Sequence, residues 1–234
     1  MRGLAETRAK AQALLLAGRV YSGERRLEKP GTQIDHDLPL TVRGADHRWV
    51  SRGGIKLDHA LTHFEIDPSG LTALDIGAST GGFTDVLCQR GARRVYAVDV
   101  GYGQLDARLR GDGRVTVLER TNARYLSRAE VPEPIDLIVC DASFIGLRTI
   151  LPAPIALAAA DARLIALIKP QFEAGRGQVG KGGIVRDPAV HAEVCAAVSD
   201  WLTAEGWPVQ GPVESPIKGR DGNTEFLIAA RRAP

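Results

Sequence analysis

The arrangement of apolar segments in the middle of the chain constrains its fold more than any other feature. Five short apolar runs, each bounded by turn residues, occupy residues 71–76, 94–98, 115–118, 135–140 and 162–168. Most of the intervals between these runs have helix-like sequence. Short buried strands that alternate with helices are typical of βαβ units. We therefore predict an α/β domain with a Rossmann-like, mostly parallel sheet.

The two ends of this domain show different patterns. Residues 209–213 and 226–230 are separated by Gly, Pro and Asp, with no room for a helix. Such a connection joins antiparallel strands, so we predict an antiparallel C-terminal hairpin on the sheet edge. A helix that opens the domain is predicted from apolar side chains along one side, at Ile55, Leu57, Ala60, Leu61 and Phe64.

Basic residues are concentrated at the front of the chain. Residues 1–57 contain 11 Lys and Arg against six Asp and Glu, whereas the remainder contains 19 against 22. Such an asymmetry suits contact with a phosphate backbone. A helical stretch over residues 3–18 and short strands at 19–21 and 27–32 predict a compact unit there.

A segment of mixed charge, from about residue 41 to residue 50, shows no sustained periodicity and predicts a linker. We divide the chain into an N-terminal module (residues 1–42), a linker (43–50) and the α/β domain (51–234).

Several classes of protein are disfavoured by the sequence. The most apolar stretch, residues 150–168, is interrupted by two prolines and two charges, and the N-terminus has no export-signal pattern. We therefore expect a cytoplasmic protein with no membrane partner. Cys88, Cys140 and Cys195 lie far apart in apolar segments and are predicted to be core thiols. The sequence contains no His/Asp/Glu cluster, so we expect no metal.

A glycine-rich turn comes after the first strand of the α/β domain. Residues 73–84 read ALDIGASTGGFT, a pattern in which the backbone approaches a nucleotide cofactor closely. Asp99 ends the next strand, where a carboxylate can accept hydrogen bonds from a ribose diol. The residues assigned to the cofactor site are Asp75, Gly77, Ser79, Thr80, Gly81, Gly82, Phe83, Asp99, Val100, Asn122 and Asp141.

Both NAD and S-adenosylmethionine fit the glycine turn and Asp99. Asp75 favours the second, because a carboxylate repels a pyrophosphate but attracts an ammonium or a sulfonium, directly or through water. Asn122 comes after the third strand and can hydrogen-bond the adenine edge, although a simple turn asparagine explains it nearly as well.

Charged residues also stand at the ends of two central strands. Asp141 comes directly after residues 135–140, and Lys169 directly after 162–168. Ligands and catalytic groups of open α/β sheets lie at the carboxyl ends of strands, so both residues are candidates for chemistry. The alternative for each is a solvated residue at a strand end.

The N-terminal module resembles the S4 RNA-binding module at residues 3–12, 17–20 and 29–31. That family usually begins with a further helix, and because the chain opens at Met1, we expect the module to be incomplete at its N-terminus. The resemblance implies RNA contacts, which we assign to Arg2, Arg8, Lys10, Arg19 and Arg52.

The whole chain resembles the FtsJ-type methyltransferases, and within them the TlyA family of ribosomal RNA 2'-O-methyltransferases, some of whose members are labelled haemolysins. The matching motifs lie at residues 49–57, 77–82, 98–105, 119–124, 169–173, 175–183 and 222–226. The resemblance implies S-adenosylmethionine as cofactor and a catalytic Lys-Asp-Lys-Glu tetrad at Lys56, Asp141, Lys169 and Glu225. It also implies a cytidine ribose in ribosomal RNA or ribosomal subunits as substrate, with the large subunit favoured over the small one.

The chemistry agrees with this resemblance. A ribose hydroxyl is a poor nucleophile, and a nearby cation or base favours its alkoxide. Lys169 suits that role. Residues 141–144 are also similar to an element of amino-methyltransferases, but a cation does little for an amine nucleophile. Carbon-5 methylation of pyrimidines needs a nucleophilic cysteine, and Cys140 is expected to point into the core.

Two functions of a different class are weighed against methyl transfer. An RNA-binding protein without catalysis would leave the glycine turn and the four charged residues unexplained. A membrane-active haemolysin would need an export signal or a membrane element, and the sequence shows neither pattern. Both are therefore disfavoured.

Overall fold

The N-terminal module contains one helix and a small sheet. The structure, a computed structural model, describes residues 4–5, 8–43, 47–219 and 222–232, without the side chains of Lys10 and Arg176. Within these residues, helix α1 (Arg8–Leu16) precedes strands β1 (Val20–Ser22), β2 (Arg25–Leu27) and β3 (Thr41–Val42). The three strands form an antiparallel sheet in the order β2-β1-β3.

The structure corrects three details of the predicted module. Among the described residues, the helix predicted over 3–18 spans Arg8–Leu16. The strand predicted at 27–32 is wrong, because β2 ends at Leu27 and a turn comes after it. Pro30 has no N–H to donate, and Gly31 adopts a φ of 89° that ends extended structure. The segment predicted as irregular from about residue 41 begins with a strand, because Thr41 and Val42 pair with β1.

The α/β domain alternates strands and helices. Its elements are α2 (Gly53–His63), β4 (Thr72–Ile76), α3 (Gly82–Gln89), β5 (Arg94–Val98), α4 (Ala107–Arg110), β6 (Val115–Leu118), β7 (Ile135–Cys140), α5 (Leu147–Ile150), α6 (Pro152–Ala156), β8 (Ala158–Ile168), α7 (Pro170–Glu173), α8 (Pro188–Ala204), β9 (Val209–Glu214) and β10 (Phe226–Arg231). Two short 3-10 turns lie at Ala123–Tyr125 and Arg176–Gln178.

These strands form a seven-stranded sheet in the order β6-β5-β4-β7-β8-β10-β9. Strands β4 to β8 pair in parallel, whereas β10 is antiparallel to both β8 and β9. The mostly parallel sheet and the C-terminal hairpin are therefore confirmed. Strand β8 begins at Ala158, earlier than the predicted residue 162, because its first residues include exposed positions that interrupt the apolar pattern.

Helices cover both faces of the sheet. Leu57 and Leu61 of α2 pack with Val86 and Leu87 of α3 against one face. Helices α5, α6 and α8 cover the other face, where Val194, Val198 and Leu202 contribute to a second core cluster. Each buried leucine of this kind stabilises the fold by roughly 1.5–3 kcal/mol.

The strand order reverses at β4, since β5 and β7 lie on opposite sides of it. The carboxyl ends of β4, β5, β7 and β8 therefore meet at one edge of the sheet. In open α/β sheets the crevice at such a reversal is the place where ligands bind.

Candidate active site

A cavity of about 700 Å³ opens at this edge of the sheet. Its wall includes the glycine turn after β4, Asp99 after β5, Asp141 after β7 and Lys169 after β8. Sites for small molecules have volumes of roughly 300–1,000 Å³. The cavity is thus large enough for a nucleoside cofactor together with part of a substrate.

The glycine turn forms the end of the cavity nearest β4. Gly77 has a φ of 84°, and a Cβ there would lie 3.0 Å from the backbone of Ala142. Gly81 is the N-cap of α3 at a φ of 95°, and a Cβ there would collide with Leu109. Among the predicted turn residues, the cavity wall includes Gly77, Ser79, Thr80, Gly82 and Phe83. Gly81 instead shapes the turn from behind.

Asp99 is held in place by the backbone. Its Oδ2 accepts a hydrogen bond from the Ser79 N–H at 2.8 Å, and its Oδ1 accepts one from the Gly101 N–H at 2.7 Å. Each oxygen retains a further lone pair, and Asp99 lines the cavity. The adjacent Val100 is 70% exposed and lines the same wall.

Asn122 lines the cavity and also has a local structural role. Its Oδ1 accepts a hydrogen bond from the Arg124 N–H at 3.1 Å and so caps the 3-10 turn Ala123–Tyr125. The turn role considered for Asn122 is therefore present, and the side chain still faces the cavity.

Asp75 lies beneath the site rather than in its wall. It is completely buried, and its Oδ2 accepts a hydrogen bond from the Thr84 hydroxyl at 2.6 Å. Burial, together with the charges of Asp141 and Asp99, raises the pKa of Asp75 to about 7, although the Thr84 hydrogen bond opposes this. Of the two contacts expected with a cofactor cation, direct or through water, the direct one does not fit this position.

Four charged residues, which we call the charged tetrad, converge at the other end of the cavity. They are Lys56, Asp141, Lys169 and Glu225. Lys56 Nζ lies 2.6 Å from Glu225 Oε2 and 3.6 Å from Asp141 Oδ2. Lys169 Nζ lies 2.6 Å from Asp141 Oδ1. The four residues form a row in which carboxylates and ammonium groups alternate.

The tetrad is poorly accessible to solvent, so its charges act on each other strongly. Burial lowers the pKa of Lys56, but the charges of Asp141 and Glu225 outweigh it and raise the pKa above its usual value. Burial raises the pKa of Asp141, but Lys169 and Lys56 outweigh it and hold the pKa below its usual range. Lys56 is therefore protonated and Asp141 ionised at neutral pH.

The loop after β7 carries the most exposed aromatic ring at the cavity. Phe144 is 84% exposed, has a φ of 66°, and packs against Phe172 with ring centroids 5.2 Å apart. Glu173 fastens this loop, because its Oε1 accepts a hydrogen bond from the Leu147 N–H at 2.6 Å. A left-handed backbone at a phenylalanine is strained and is typical of functional sites.

The predicted RNA-binding residues that the structure describes are divided between the N-terminal module and the α/β domain. Arg8 is exposed on α1, whereas Arg19 is half-buried and its Nε has no hydrogen-bond partner among the described residues. Arg52 lines the cavity, and its Nη1 lies 3.2 Å from Glu28 Oε1. Arg2 and the side chain of Lys10 lie outside the described residues.

The remaining expectations concern cysteines, metals and membranes. Cys88, Cys140 and Cys195 are buried free thiols, and burial raises the pKa of Cys140 to about 12. Over the described ranges, no three or more His, Cys, Asp or Glu side chains are grouped to hold a metal ion. The helices of those same ranges are too short or too polar to cross a membrane.

The sequence analysis missed several residues of the site. Ser143 Oγ accepts a hydrogen bond from Lys169 Nζ at 3.0 Å, and Gln104 Oε1 accepts one from the Ser79 hydroxyl at 3.3 Å. Buried Asn223 holds the glycine-rich segment after α7, since its amide bonds Gly183 O and the Val185 N–H, both at 3.0 Å. Gln104 and Asn223 lie in motifs of the family resemblance, which was the one available indication.

Known proteins resemble this chain over most of its length. The model of the FtsJ-like methyltransferase family matches residues 49–232. YqxC of Bacillus subtilis, provisionally named an rRNA methyltransferase, is 54% identical over 228 residues, which are 97% of this chain and 81% of that protein. The 16S/23S rRNA (cytidine-2'-O)-methyltransferase TlyA of Mycobacterium tuberculosis is 48% identical over 231 residues, which are 98% of this chain and 86% of that protein.

A solved structure from Streptococcus thermophilus, provisionally named a hemolysin, is similar over nearly the whole chain. It has a TM-score of 0.79 and 43% identity, and the similarity covers 99% of this chain and 85% of that one. The predicted α/β architecture is thereby confirmed.

Proposed function

Because the chain belongs to the FtsJ-like methyltransferase family, we propose that it methylates the 2'-hydroxyl of a cytidine in ribosomal RNA. The family resemblance inferred from the motifs is confirmed. The nucleotide substrate is the finer part of the proposal, and it is supported by the names of relatives that match almost the whole chain.

The cofactor of the chain is S-adenosylmethionine, which supplies an electrophilic methyl group on a sulfonium. The residues present fit this molecule. Asp99 offers two carboxylate oxygens for a ribose diol, and the turn from Gly77 to Phe83 brings backbone to the cavity where a side chain would obstruct it. Asn122 faces the same space and can receive the adenine edge. Asp75 lies beneath the turn, where its carboxyl group accepts a hydrogen bond from Thr84.

The single observation that carries the proposal is the charged tetrad at the cavity wall. Two ammonium groups alternate with two carboxylates, and the ammonium of Lys169 faces a cavity shared with the glycine turn. Two cations do little to stabilise the transition state of an amine or carbon nucleophile. Two cations stabilise a developing ribose alkoxide directly, because its negative charge appears only as the reaction proceeds.

The residues of the tetrad have different roles in this proposal. The hydroxyl proton passes to water as the ribose oxygen is methylated, because Asp141 is too weak a base to take it; the pKa of Asp141 lies below its usual range. Its charge instead holds both lysines in place. Lys169 donates to Asp141 O and to Ser143 Oγ, both at 3.0 Å, in addition to its ion pair with Asp141. The neutral Ser143 hydroxyl is the weakest of these partners, so a ribose oxygen can replace it and meet Lys169 directly.

The N-terminal module supplies the RNA affinity in this proposal. It resembles an S4 module, it spans residues 1–42, and its helix α1 presents exposed Arg8. Phosphate contacts of this kind fix the position of an RNA without reading its sequence. We favour the large ribosomal subunit as substrate, and ribosomes place the proposed activity in the cytoplasm.

Methyl transfer from labelled S-adenosylmethionine to separated ribosomal subunits tests the proposal. We expect label in the large-subunit RNA, at the 2'-oxygen of a single cytidine, and far slower labelling with the Lys169→Ala variant. Label on a base, or on protein alone, contradicts the proposed reaction. Label confined to the small subunit would support the proposed reaction but contradict the large subunit as its substrate.

A further inference from the structure

An ion pair joins the N-terminal module to the α/β domain at the edge of the catalytic cavity. Glu28 comes directly after strand β2 of the module, and its Oε1 receives both Arg26 Nε at 2.7 Å and Arg52 Nη1 at 3.2 Å. The side chains of Glu28 and Arg52 are each only 23% exposed. Ion pairs shielded in this way are screened less by salt than pairs on an open surface.

A second, independent contact holds Arg52 against the module. Helix α1 ends in a Schellman motif, in which the Arg19 N–H bonds Leu14 O and the Gly18 N–H bonds Leu15 O, both at 3.0 Å. The stem of Arg52 packs on Gly18, where a Cβ would lie 3.5 Å from Arg52 Cδ. The C-terminus of a helix carries a partial negative charge that favours a cation. Arg52 thus meets both a carboxylate and a helix end.

The position of Arg52 ties this contact to the chemistry. Arg52 is the N-cap of α2, the helix that carries Lys56 one turn later. Its neighbours Ser51 and Gly53 line the cavity, and so do Leu16 and Glu28 of the module. The positive charge of Arg52 also acts on Lys56, where it opposes the net rise in the pKa of that lysine. A shift of the module would therefore move the cavity wall next to the tetrad.

We infer that the Glu28–Arg52 ion pair docks the N-terminal module on the α/β domain and so positions the bound RNA relative to the charged tetrad. Both are positioning residues in this role. The inference rests on the proposed function only for its effect on RNA methylation. The docking itself is a property of the protein alone. Arg52 accordingly acts through Glu28, in addition to any contact with RNA.

The docking is measured without any reaction. Spin labels are attached at two exposed positions, Thr32→Cys in the module and Glu205→Cys in the α/β domain, and the distance between them is recorded. The native cysteines are buried and should stay unlabelled. We expect one narrow distance distribution that broadens when Glu28→Gln is introduced. An unchanged distribution overturns the inference, whatever the enzymatic activity proves to be.

A matched control separates docking from charge. Glu24→Gln makes the same change of charge in the same module, but Glu24 pairs with Arg43 and its side chain is 92% exposed. We expect the Glu24→Gln distribution to remain narrow. Broadening by both variants would mean a general effect of charge and would also overturn the inference.

The catalytic consequence is measured by single-turnover methyl transfer at saturating RNA and cofactor. We expect Glu28→Gln to lower the rate about tenfold or more, since small misplacements of reacting groups are costly. The affinities for S-adenosylmethionine and RNA should stay within about twofold, because the change removes a negative charge and cannot weaken phosphate attraction. A wild-type rate in this variant overturns the positioning role. Absence of methyl transfer by the wild type overturns the proposed function and leaves the distance measurement to decide the docking.

Exchanging the two charges tests whether the single variants act through the broken ion pair or through misfolding. Glu28→Arg and Arg52→Glu each break the pair, whereas the double variant restores it with the charges exchanged. We expect the double variant to have a narrower distance distribution than either single variant, as for residues in contact. If the two effects merely add, Glu28 and Arg52 do not form the docking pair.

Discussion

Lys169 contacts Asp141 at two points, with Nζ 2.6 Å from the carboxylate Oδ1 and 3.0 Å from the carbonyl oxygen of the same residue. The ends of β7 and β8 are thereby joined across the sheet. Lys169 Nζ also donates a hydrogen bond to the Ser143 hydroxyl at 3.0 Å. The direction of the lysine toward the cavity is fixed before a substrate enters.

The first prediction concerns Lys169 itself. Its interaction with the ribose oxygen strengthens as negative charge develops there, so its loss should affect the transition state far more than binding. We expect Lys169→Ala to lower the single-turnover rate by at least ~100-fold, the scale of losing one preorganised stabilising group. The affinity for S-adenosylmethionine, measured by calorimetry, should be unchanged.

Two further variants serve as comparisons. Lys169→Arg should not restore the rate, because a guanidinium does not fit the compact position between Asp141 and Ser143. Glu225→Gln should lower the rate less than Lys169→Ala, since Glu225 contacts Lys56 rather than Lys169. A Lys169→Ala enzyme that transfers methyl at nearly the wild-type rate would exclude this lysine from the reaction and leave it a structural partner of Asp141.

The second prediction concerns the cofactor. Asp99→Ala removes two backbone hydrogen bonds and the proposed contact with the ribose diol. We expect the dissociation constant of S-adenosylmethionine to rise by the equivalent of roughly 1–3 kcal/mol. Asp112→Ala is the matched control, because Asp112 pairs with exposed Arg114 away from the cavity. Equal affinities of the wild type and Asp99→Ala would remove Asp99 from the site, and competition by NAD would contradict the cofactor.

Local sequence patterns predicted the α/β domain well. Strands β5, β6 and β7 have the predicted bounds, because each is a continuous apolar run between turn residues. The charged tetrad could also be predicted from the sequence. Asp141 and Lys169 come directly after buried strands, and the family resemblance indicated Lys56 and Glu225. In a parallel sheet, the fold itself brings the residues at the carboxyl ends of neighbouring strands to the ligand-binding edge.

Contacts between distant segments were not predictable in the same way. Glu28 meets Arg52 only because the module folds back onto the α/β domain, and no local pattern specifies that distance. The burial of Asp75 was missed for a related reason. Its motif placed it beside the glycine turn, but the pleat of β4 directs alternate side chains to opposite faces, and Thr84 of α3 covers it.

The third prediction uses the raised pKa of Asp75. The folded chain binds a proton at Asp75 up to a pH of about 7, whereas an unfolded carboxyl releases it near pH 4. The stability that depends on this proton is fully present below about pH 4 and is lost as the pH rises to about 7. Asp75→Asn cannot ionise. Its free energy of unfolding, relative to the wild type, should therefore rise by roughly 2–3 kcal/mol between about pH 5 and about pH 8.

Urea unfolding at the two pH values measures this difference. Asp112→Asn is the control of opposite sign, because its hydrogen bonds with Arg114 hold the pKa of Asp112 below its usual value. The stability that Asp112 provides is lost only as the pH falls below about 4, so its variant should show no change between about pH 5 and about pH 8. A pH-independent effect of Asp75→Asn would mean that Asp75 is ionised throughout.

The fourth prediction concerns RNA affinity of the N-terminal module. Each phosphate contact that is lost reduces the dependence of binding on salt, so Arg8→Gln should lower the slope of log K against log salt by about one. The exposed Arg231, at the end of β10, provides a matched control as Arg231→Gln. Identical salt slopes for the two variants and the wild type would exclude Arg8 from the RNA contact.

The last prediction concerns Phe144. Its ring lines the cavity, yet it is 84% exposed and sits on a left-handed backbone, so packing alone does not account for it. An exposed ring can stack on a base, and such stacking contributes roughly 1–3 kcal/mol. We expect Phe144→Ala to raise the KM for RNA by about 5-fold to 150-fold, while Phe144→Tyr stays near the wild type. The free energy of unfolding should hardly change, because little ring surface is buried.

Tyr125→Ala is the control for this experiment, since Tyr125 is a comparably exposed ring, at 73%, outside the cavity wall. Its KM should match that of the wild type. Steady-state rates over a range of RNA concentrations separate the effects, because loss of stacking raises KM and leaves S-adenosylmethionine affinity intact. If Phe144→Ala and Tyr125→Ala behave alike, the ring of Phe144 does not receive the base. A fall in the unfolding free energy as large as the change in RNA binding would assign Phe144 to the support of the loop after β7.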